Sequence, residues 1–349
     1  MKPSLSPGLK ALLDETRERV MGLIFSFLPE RSPIAEIDLL YRMMRDYPSR
    51  PGKGLRPALL FASCRAFGGD VDKATVTAAA LELFQNWILI HDDIEDESDL
   101  RRGEPVLHRK YGSIPLAINA GDALHARMWE LLVANGEAIG PEPALRVLKE
   151  FSRMVNETTE GQHMELGWVA QGRWDLTEED YLLMVEKKTA WYTCIAPLRL
   201  GALIAGAGPE ALDELVPFGR SLGVAFQIRD DVLNLKGDER LYGKERAGDL
   251  YEGKRTLMLI HLLAHAPEQL RGRVVATLSK DRGEKRWEEV REILEALEQY
   301  GSITYAERVA RRFAEDAARR FTKLAEWMPD PTGRAQLEEL IEFMVSREW

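Results

Sequence analysis

The chain has 349 residues, 45 % of them hydrophobic, and a formal net charge of −10, so it can bury a sizeable core as one large domain or two modest ones. The acidic balance speaks against nucleic acid as the main partner, because phosphate binding leaves a basic footprint; a small phosphorylated ligand in a local basic pocket stays open. The two cysteines, Cys64 and Cys194, lie in apolar surroundings without partners at metal-ligand spacing, so neither a disulfide framework nor a zinc site is suggested and a reducing compartment is expected.

From the N-terminus, "LKALLDETRERVMGLIFSFL" repeats apolar residues at three and four spacing, and charged residues interrupt it before any run could act as a signal core. A Pro/Gly-rich connection, "YPSRPGKGLRP", follows and carries Lys53 and Arg56. Its Gly52 and Gly54 allow close approach of backbone and ligand, and Pro57 suits the first turn of the next helix. Residues 74–90 are apolar nearly all round and predict a central buried helix. It runs into "HDDIEDESDLRRG", where six acidic residues fall between Asp92 and Asp99 and Arg101 and Arg102 come next.

Further helical periods occur in "ALRVLKEFSRMV", in 221–235, in "WEEVREILEALEQY" and in "YAERVARRFAEDAARRFTKL", separated by turns such as "YGSIP", "GAGPE" and "MPDPTG". No strand and no long linker is expected, and no stretch is long enough to span a bilayer. The pattern predicts an all-α chain forming one large helical domain over 1–349, soluble and cytoplasmic, with no stable membrane insertion.

Two apolar helices end in an Asp pair. On the first, Asp92 and Asp96 are four apart and project together, with Asp93 about 100° round the axis. On the second, Asp230 sits beside Asn234, with Asp231 next to them. Like charges at this spacing repel and are poorly solvated in a buried helix, so they need compensation. A hard divalent cation fits, above all magnesium, which takes one or two carboxylates and completes its shell with waters and substrate phosphates. One acidic run alone is more often a solvated helix end, which is the reading kept for Glu95, Glu97 and Asp99; two such ends favour the metal. Cations for a diphosphate are available in Lys53, Arg56, Arg101, Arg102, Lys188, Lys244 and Lys254, with lysine as a point charge and arginine as a planar fork.

In order along the chain, "GKGLRP", "HDDIEDESDLRRGEPVLH", "NAGDAL", "EGQHMEL", "MVEKKTA", "FQIRDDVLN", "GDLYEGKRT" and "GSITYA" resemble a trans-prenyltransferase of the isoprenyl diphosphate synthase (polyprenyl synthetase) family. The resemblance implies an all-α bundle around a deep central cavity, the isoprenoid synthase type I fold, usually as a homodimer. It also implies head-to-tail joining of isopentenyl diphosphate to an allylic diphosphate with release of pyrophosphate, using three magnesium ions for which manganese can substitute. Asp92 and Asp96, supported by Asp93, match the carboxylates that bridge metal to the allylic diphosphate, and Asp230, with Asp231 and Asn234 nearby, matches the second metal site. Arg101, Lys188 and Lys244 match cations on the allylic diphosphate, and Lys254 matches a lysine close to the second metal. Lys53, Arg56 and Arg102 match the isopentenyl diphosphate pocket, where Gln85 replaces a histidine common in the family. Thr189 and Gln227 match polar groups near the reacting carbons.

The resemblance places the floor for the growing chain at Trp87 and Ile88. An aromatic at Trp87 without a second at Ile88 resembles geranylgeranyl diphosphate synthases, and a farnesyl product is the alternative. His91 reads as structural or as a support of the carboxylates. Two further departures are Asn234 for an aspartate, which weakens the second metal site, and Met258 for a proline, which questions the helix geometry there. A terpene cyclase would have no use for Lys53, Arg56 and Arg102, and a non-catalytic synthase subunit commonly lacks one Asp motif.

Overall fold

A computed structural model describes residues 6–236 and 247–346; the cations Lys244 and Arg347 lie outside the described residues. The apolar periods become helices: α1 (Pro7–Phe27), α2 (Ala35–Ser49), α3 (Leu55–Ala66) and α4 (Val71–Glu95). Next come the short α5 (Leu107–Lys110), then α6 (Ile114–Ile139), α7 (Pro141–Ala170), α8 (Glu178–Val185), α9 (Ala196–Ile204) and α10 (Pro209–Lys236). After residue 246 the chain continues as α11 (Gly248–Glu252), α12 (Leu257–His265), α13 (Glu268–Leu278), α14 (Trp287–Gln299), α15 (Ser302–Leu324) and α16 (Pro331–Ser346).

The central helix α4 begins where the Asp70 carboxylate accepts a hydrogen bond from Asp72 N at 3.0 Å, a side-chain cap that satisfies one of the orphan donors of the first turn. Its consecutive alanines Ala78, Ala79 and Ala80 are fully buried, and their small size lets neighbouring helices pack close on every side. The helix stops in the acidic segment, with Asp96 as the residue after its last turn.

Two local features depart from the sequence expectation. Leu100–Arg101 and Glu104–Pro105 pair as a two-residue antiparallel ladder, although no strand is expected. Arg102 and Gly103 turn the chain with φ of 55° and 78°, and two positive φ values are what a tight hairpin turn demands. Arg50 holds this hairpin, donating to Arg101 O at 3.0 Å and Pro105 O at 2.8 Å. The second feature is a π-helix over Glu186–Ile195 that joins α8 to α9; such widened turns accompany functional sites. Two glycines let neighbours reach it: a Cβ at Gly161 of α7 would fall 2.2 Å from Lys188 N, and one at Gly223 of α10 would fall 2.5 Å from Ala190 Cα. Met258 sits in the first turn of α12 and is buried, a position that tolerates proline as well, so the substitution leaves the helix intact.

The buried apolar residues form two main clusters. One includes Leu59, Phe84, Phe151 and Leu340, from α3, α4, α7 and α16. The other includes Tyr181, Ile228, Val232, Leu262 and Val309, from α8, the C-terminal half of α10, α12 and α15. The Asp92 end of α4 projects from the first cluster, and the Asp230 end of α10 from the second. Among the described residues no helix is long and apolar enough to cross a membrane.

Candidate active site

A cavity of about 490 Å³ is lined by Lys188, Thr189, Gln227, Asp230, Asp231 and Lys254, together with Glu165, Tyr181 and Asp249. The α4 end reaches it through two of these lysines. Lys188 Nζ lies 3.5 Å from Asp92 Oδ1, and Lys254 Nζ donates to Asp96 Oδ2 at 2.7 Å. Both acidic ends and both lysines thus meet in one place. Among the described residues no three His, Cys, Asp or Glu side chains converge as a ready-made metal cluster, so a cation held here would draw further oxygen ligands from a substrate and from water.

The two members of each Asp pair do different things. Asp93 is fully buried and points away from the lysines: it accepts from Tyr47 Oη at 2.5 Å and from Arg101 Nε at 2.9 Å, with a second, shorter contact from Arg101 Nη2. Arg101 Nη2 also lies 3.4 Å from Asp92 Oδ2. Asp231 repeats the arrangement on α10. It accepts from Tyr181 Oη at 2.6 Å and from Gln227 Nε2 at 2.7 Å, and Gln227 Oε1 in turn accepts from Thr189 Oγ1 at 2.8 Å. Burial, followed by the carboxylate each tyrosine faces, holds Tyr47 and Tyr181 far above the usual phenol range. They stay protonated and donate.

Charge is under-compensated where a cation would sit. Burial pushes Asp96 up to about 7 against the opposing pull of Lys254, with Asp92 and Glu252 adding to the rise. Asp231 is also pushed up to about 7 by burial, against its hydrogen bonds from Tyr181 and Gln227. Lys188 and Lys254 are desolvated, yet Glu165 and Asp92 for the first, and Asp96 and Glu252 for the second, keep them firmly protonated. A buried carboxylate driven to share protons near neutrality is a good divalent-cation ligand, because metal binding supplies the missing positive charge. Asp92, Asp96 and Asp230, with Asp231 and Asp249 beside them, are the carboxylates here that could hold such ions.

The remaining sequence candidates fall into two groups. Arg56 Nη2 donates to Thr193 Oγ1 at 2.9 Å and its guanidinium covers the Tyr192 ring at 4.2 Å. With the Gln85 amide oriented to suit both neighbours, its oxygen accepts from Arg56 Nη1 at 2.9 Å and its nitrogen donates to Glu82 Oε2 at 3.1 Å. Arg102 donates to Tyr47 O at 3.3 Å, and a Cβ on Gly52 would fall 3.1 Å from its Nη2, so the glycine gives the guanidinium room. A second cavity, about 360 Å³, opens beside Gly52, Gly54, Glu82 and Arg102. Lys53 lies 6.0 Å from the centre of the Phe343 ring on α16. Arg56, Gln85 and Arg102 thus gather around Glu82, apart from the residues that line the Lys188–Lys254 cavity.

Trp87 and Ile88 are half-buried. The Trp87 ring stacks on His125 of α6 at 4.2 Å and meets the Phe84 ring edge-on at 5.4 Å. His91 belongs to the same helix contact and not to the carboxylates: its Nε2 lies 3.3 Å from Ile118 O, and a Cβ on Gly121 would fall 2.5 Å from that atom. Asn234 accepts from Asp249 N at 3.2 Å, so its side chain secures the start of α11. Sequence reasoning missed Tyr47, Tyr181, Glu165, Gln162 and Asp249. "EGQHMEL" and "GDLYEGK" contain three of them, but only the fold brings them to the cavity; Gln162 Nε2 donates to Glu95 Oε2 at 2.6 Å and lies 3.3 Å from Asp92 Oδ1.

An all-helical bundle with two acidic helix ends and cations around one cavity defines a class of proteins that handle diphosphates through divalent metals. The polyprenyl synthetase family model matches residues 37–297, and the chain belongs to that family. The geranylgeranyl diphosphate synthase of Methanosarcina mazei is 34 % identical over 345 residues, 98 % of this chain and 99 % of that one. Geranylgeranyl pyrophosphate synthetase from Pyrococcus horikoshii Ot3 superposes with a TM-score of 0.83 at 34 % identity, covering 97 % of this chain and 99 % of that one. Geranylgeranyl pyrophosphate synthase from Corynebacterium glutamicum, complexed with isoprenyl diphosphate and magnesium, gives a TM-score of 0.83 at 26 % identity over 99 % of this chain and 100 % of that one.

Proposed function

We propose that this protein condenses isopentenyl diphosphate with an allylic diphosphate, head to tail, releasing pyrophosphate, and that its main product is geranylgeranyl diphosphate. The observation that carries this reading is the convergence of the Asp92/Asp96 and Asp230/Asp231 helix ends, with Lys188 and Lys254, on one cavity. Divalent ions, magnesium foremost, with three per site and manganese as a substitute, supply charge neutralisation of the leaving diphosphate when bound. Asp92, Asp96 and Asp230 would hold them.

The protein's own side chains do the rest. Lys188, Lys254 and Arg101 place positive charge where pyrophosphate departs; Lys244, which the resemblance assigns the same task, lies outside the described residues. Thr189 and Gln227 turn oxygen dipoles toward the reacting carbons, where a developing allylic cation needs them. Lys53, Arg56, Gln85 and Arg102 bind the second diphosphate, a pocket that a cyclase would not need. The departing pyrophosphate accepts the proton that ends the step, so no His or Glu is assigned as base. Exclusion of water protects the cation from quenching.

The reading includes a homodimer and a cytoplasmic setting. Ile114 and Ile118, four apart on one face of α6, are 50 % and 40 % exposed, and exposed apolar side chains of this kind suit a second copy. Both cysteines are free thiols in the interior, in keeping with a reducing compartment.

Incubation with magnesium, isopentenyl diphosphate and each of dimethylallyl, geranyl and farnesyl diphosphate, read by mass, tests the proposal. A twenty-carbon product with farnesyl diphosphate accepted as primer is expected. A fifteen-carbon end product would place the floor higher, and no condensation would return the cyclase and silent-subunit readings. Trp87 is assigned to the floor, so Trp87→Ala should shift the product to longer chains. An unchanged distribution would make its stacking on His125 simple packing.

A further inference from the structure

Three cations outside the residues discussed so far converge on the turn that carries Lys254. Lys285 Nζ donates to Tyr251 O at 2.5 Å. Arg282 Nη1 reaches Glu252 Oε1 at 3.4 Å. Arg255 donates through Nη1 to Gly253 O and ties the same turn to the end of α7 through Arg173 O at 3.0 Å and Trp168 O at 3.5 Å. Three successive residues, 251 to 253, are therefore each held by a different cation, at the C-terminus of α11 where the exposed carbonyls favour positive charge. Gly253 makes the turn with φ of 71°, and a Cβ there would fall 3.1 Å from Leu278 O and 3.6 Å from Lys285 Nζ. Both Lys285 and Arg255 are buried.

The chain of contacts runs on into the cavity. Glu252, pulled by Arg282 from one side, lies 2.8 Å from Lys254 Nζ through its Oε2, and Lys254 Nζ donates to Asp96 Oδ2 at 2.7 Å. Arg282, Glu252, Lys254 and Asp96 thus alternate in sign from the protein's outer shell to the first acidic end. A lysine has a flexible stem and three rotatable donors, so its placement depends on what fixes its backbone and its second carboxylate.

We propose that Lys285 and Arg282 are positioning residues for the allylic-diphosphate side of the site: they pin the 251–253 turn and so set Lys254 against Asp96, and the protonated state of Lys285 is the one that holds the turn. This rests on the synthase reading above. The contacts of Lys285 and Arg282 with Tyr251 O and Glu252 Oε1 set them behind Lys254 and not among the carboxylates assigned to metal.

Burial, then Arg255 and Arg282, push the Lys285 ammonium down to about 8, while Glu252 and Asp281 oppose the shift. These are the charged groups that face it from the turn, from the following strand of chain and from its own segment. The charge-assisted bond to Tyr251 O is complete below that pH and weakens above it. The sign for stability is opposite. Lys285 releases its proton at lower pH in the folded protein than the unfolded value of about 10.4, so between the two the unfolded chain binds more protons and this group's contribution to stability rises with pH. An alkaline loss of activity caused by Lys285 is therefore not accompanied by a fall in Tm from the same group.

The test is steady-state kinetics on the full chain with magnesium, isopentenyl diphosphate and farnesyl diphosphate across the alkaline range, with Tm measured at each pH. Lys285→Met is expected to lower kcat/KM for the allylic substrate by about tenfold, since small misplacements of a charge-stabilising group have effects of this order, and to leave KM for isopentenyl diphosphate at its wild-type value. Arg282→Gln should lower it in the same direction by about threefold. Lys285→Arg keeps its charge throughout, so it should retain most of the neutral-pH rate and carry it about one pH unit further into the alkaline range. Wild-type allylic kcat/KM in Lys285→Met, a loss falling equally on both substrates, or an alkaline limb unmoved in Lys285→Arg would overturn the proposal. If Lys285→Met fails to fold, the Arg282→Gln and Lys285→Arg results decide. Absence of condensation by the wild-type protein would instead sink the synthase reading itself.

Discussion

The two acidic helix ends solve one electrostatic problem with different materials. In each, the first aspartate is half-buried beside the cavity and the second is buried and receives a tyrosine hydroxyl, Tyr47 for Asp93 and Tyr181 for Asp231. The partner beyond the tyrosine differs. Asp93 is bound by a buried cation, Arg101, whereas Asp231 is bound by a neutral amide, Gln227, that leads to Thr189. One end anchors a charge and the other orients dipoles. A strongly paired Asp93 and a carboxyl at Asp231 that burial lifts to about 7 follow from that difference. In the proposed reaction the first arrangement suits the departing diphosphate, and the second suits the forming cation.

The comparison can be broken most forcefully at the first member of each pair. Asp92→Ala and Asp230→Ala should each lower the condensation rate by at least about a thousandfold, the scale on which removal of charge stabilisation in a low-dielectric site acts. Both variants should stay folded, because they remove repulsion and little packing. Circular dichroism and rate measurements check this, and wild-type turnover in either would remove that residue from the metal set.

The buried members should separate the two ends by stability. Asp93→Asn leaves the Arg101 guanidinium in the interior with Asp92 as its one remaining carboxylate among the described residues, at a cost of about 3–5 kcal/mol for breaking a buried ion pair. Asp231→Asn disturbs two hydrogen bonds from neutral donors, about 1–3 kcal/mol if one partner is left unsatisfied. Denaturant unfolding that gave equal losses, or a larger one at Asp231, would contradict the distinction.

A smaller effect lies in pH. Asp96 and Asp231 titrate near 7 in the folded protein, above the value of about 3.9 expected when unfolded. The folded state therefore binds more protons between those values, and these groups make the metal-free protein lose stability as pH rises from about 4 to about 7. Magnesium with pyrophosphate should remove that slope, since the cation replaces the protons. A Tm profile with the same slope in both conditions would count against it.

Much of this was legible in the sequence. The apolar period over 74–90 predicts α4, and the paired aspartates with Lys188 and Lys254 predict the cavity's charged lining. The tyrosines were not legible, because Tyr47 and Asp93 are 46 residues apart and Tyr181 and Asp231 are 50 apart, and nothing local marks the pairing. The π-helix over Glu186–Ile195 was hidden for a related reason: the glycines that let α7 and α10 pack close to it, Gly161 and Gly223, lie in other parts of the chain. Arg282 and Lys285 stand in "SKDRGEKRW" outside every motif that the sequence offers, and only their contacts with the 251–253 turn give them a task. The hairpin at 100–105 needed a non-glycine residue, Arg102, at positive φ, which propensity disfavours and Arg50 enforces.

The central claim, that these helix ends grip a diphosphate through divalent metal, is tested most directly by calorimetric titration of inorganic pyrophosphate into the wild-type protein with and without magnesium. The account predicts binding that requires magnesium and disappears in Asp92→Ala. Equal binding in the absence of the metal, or undiminished binding in that variant, would contradict it.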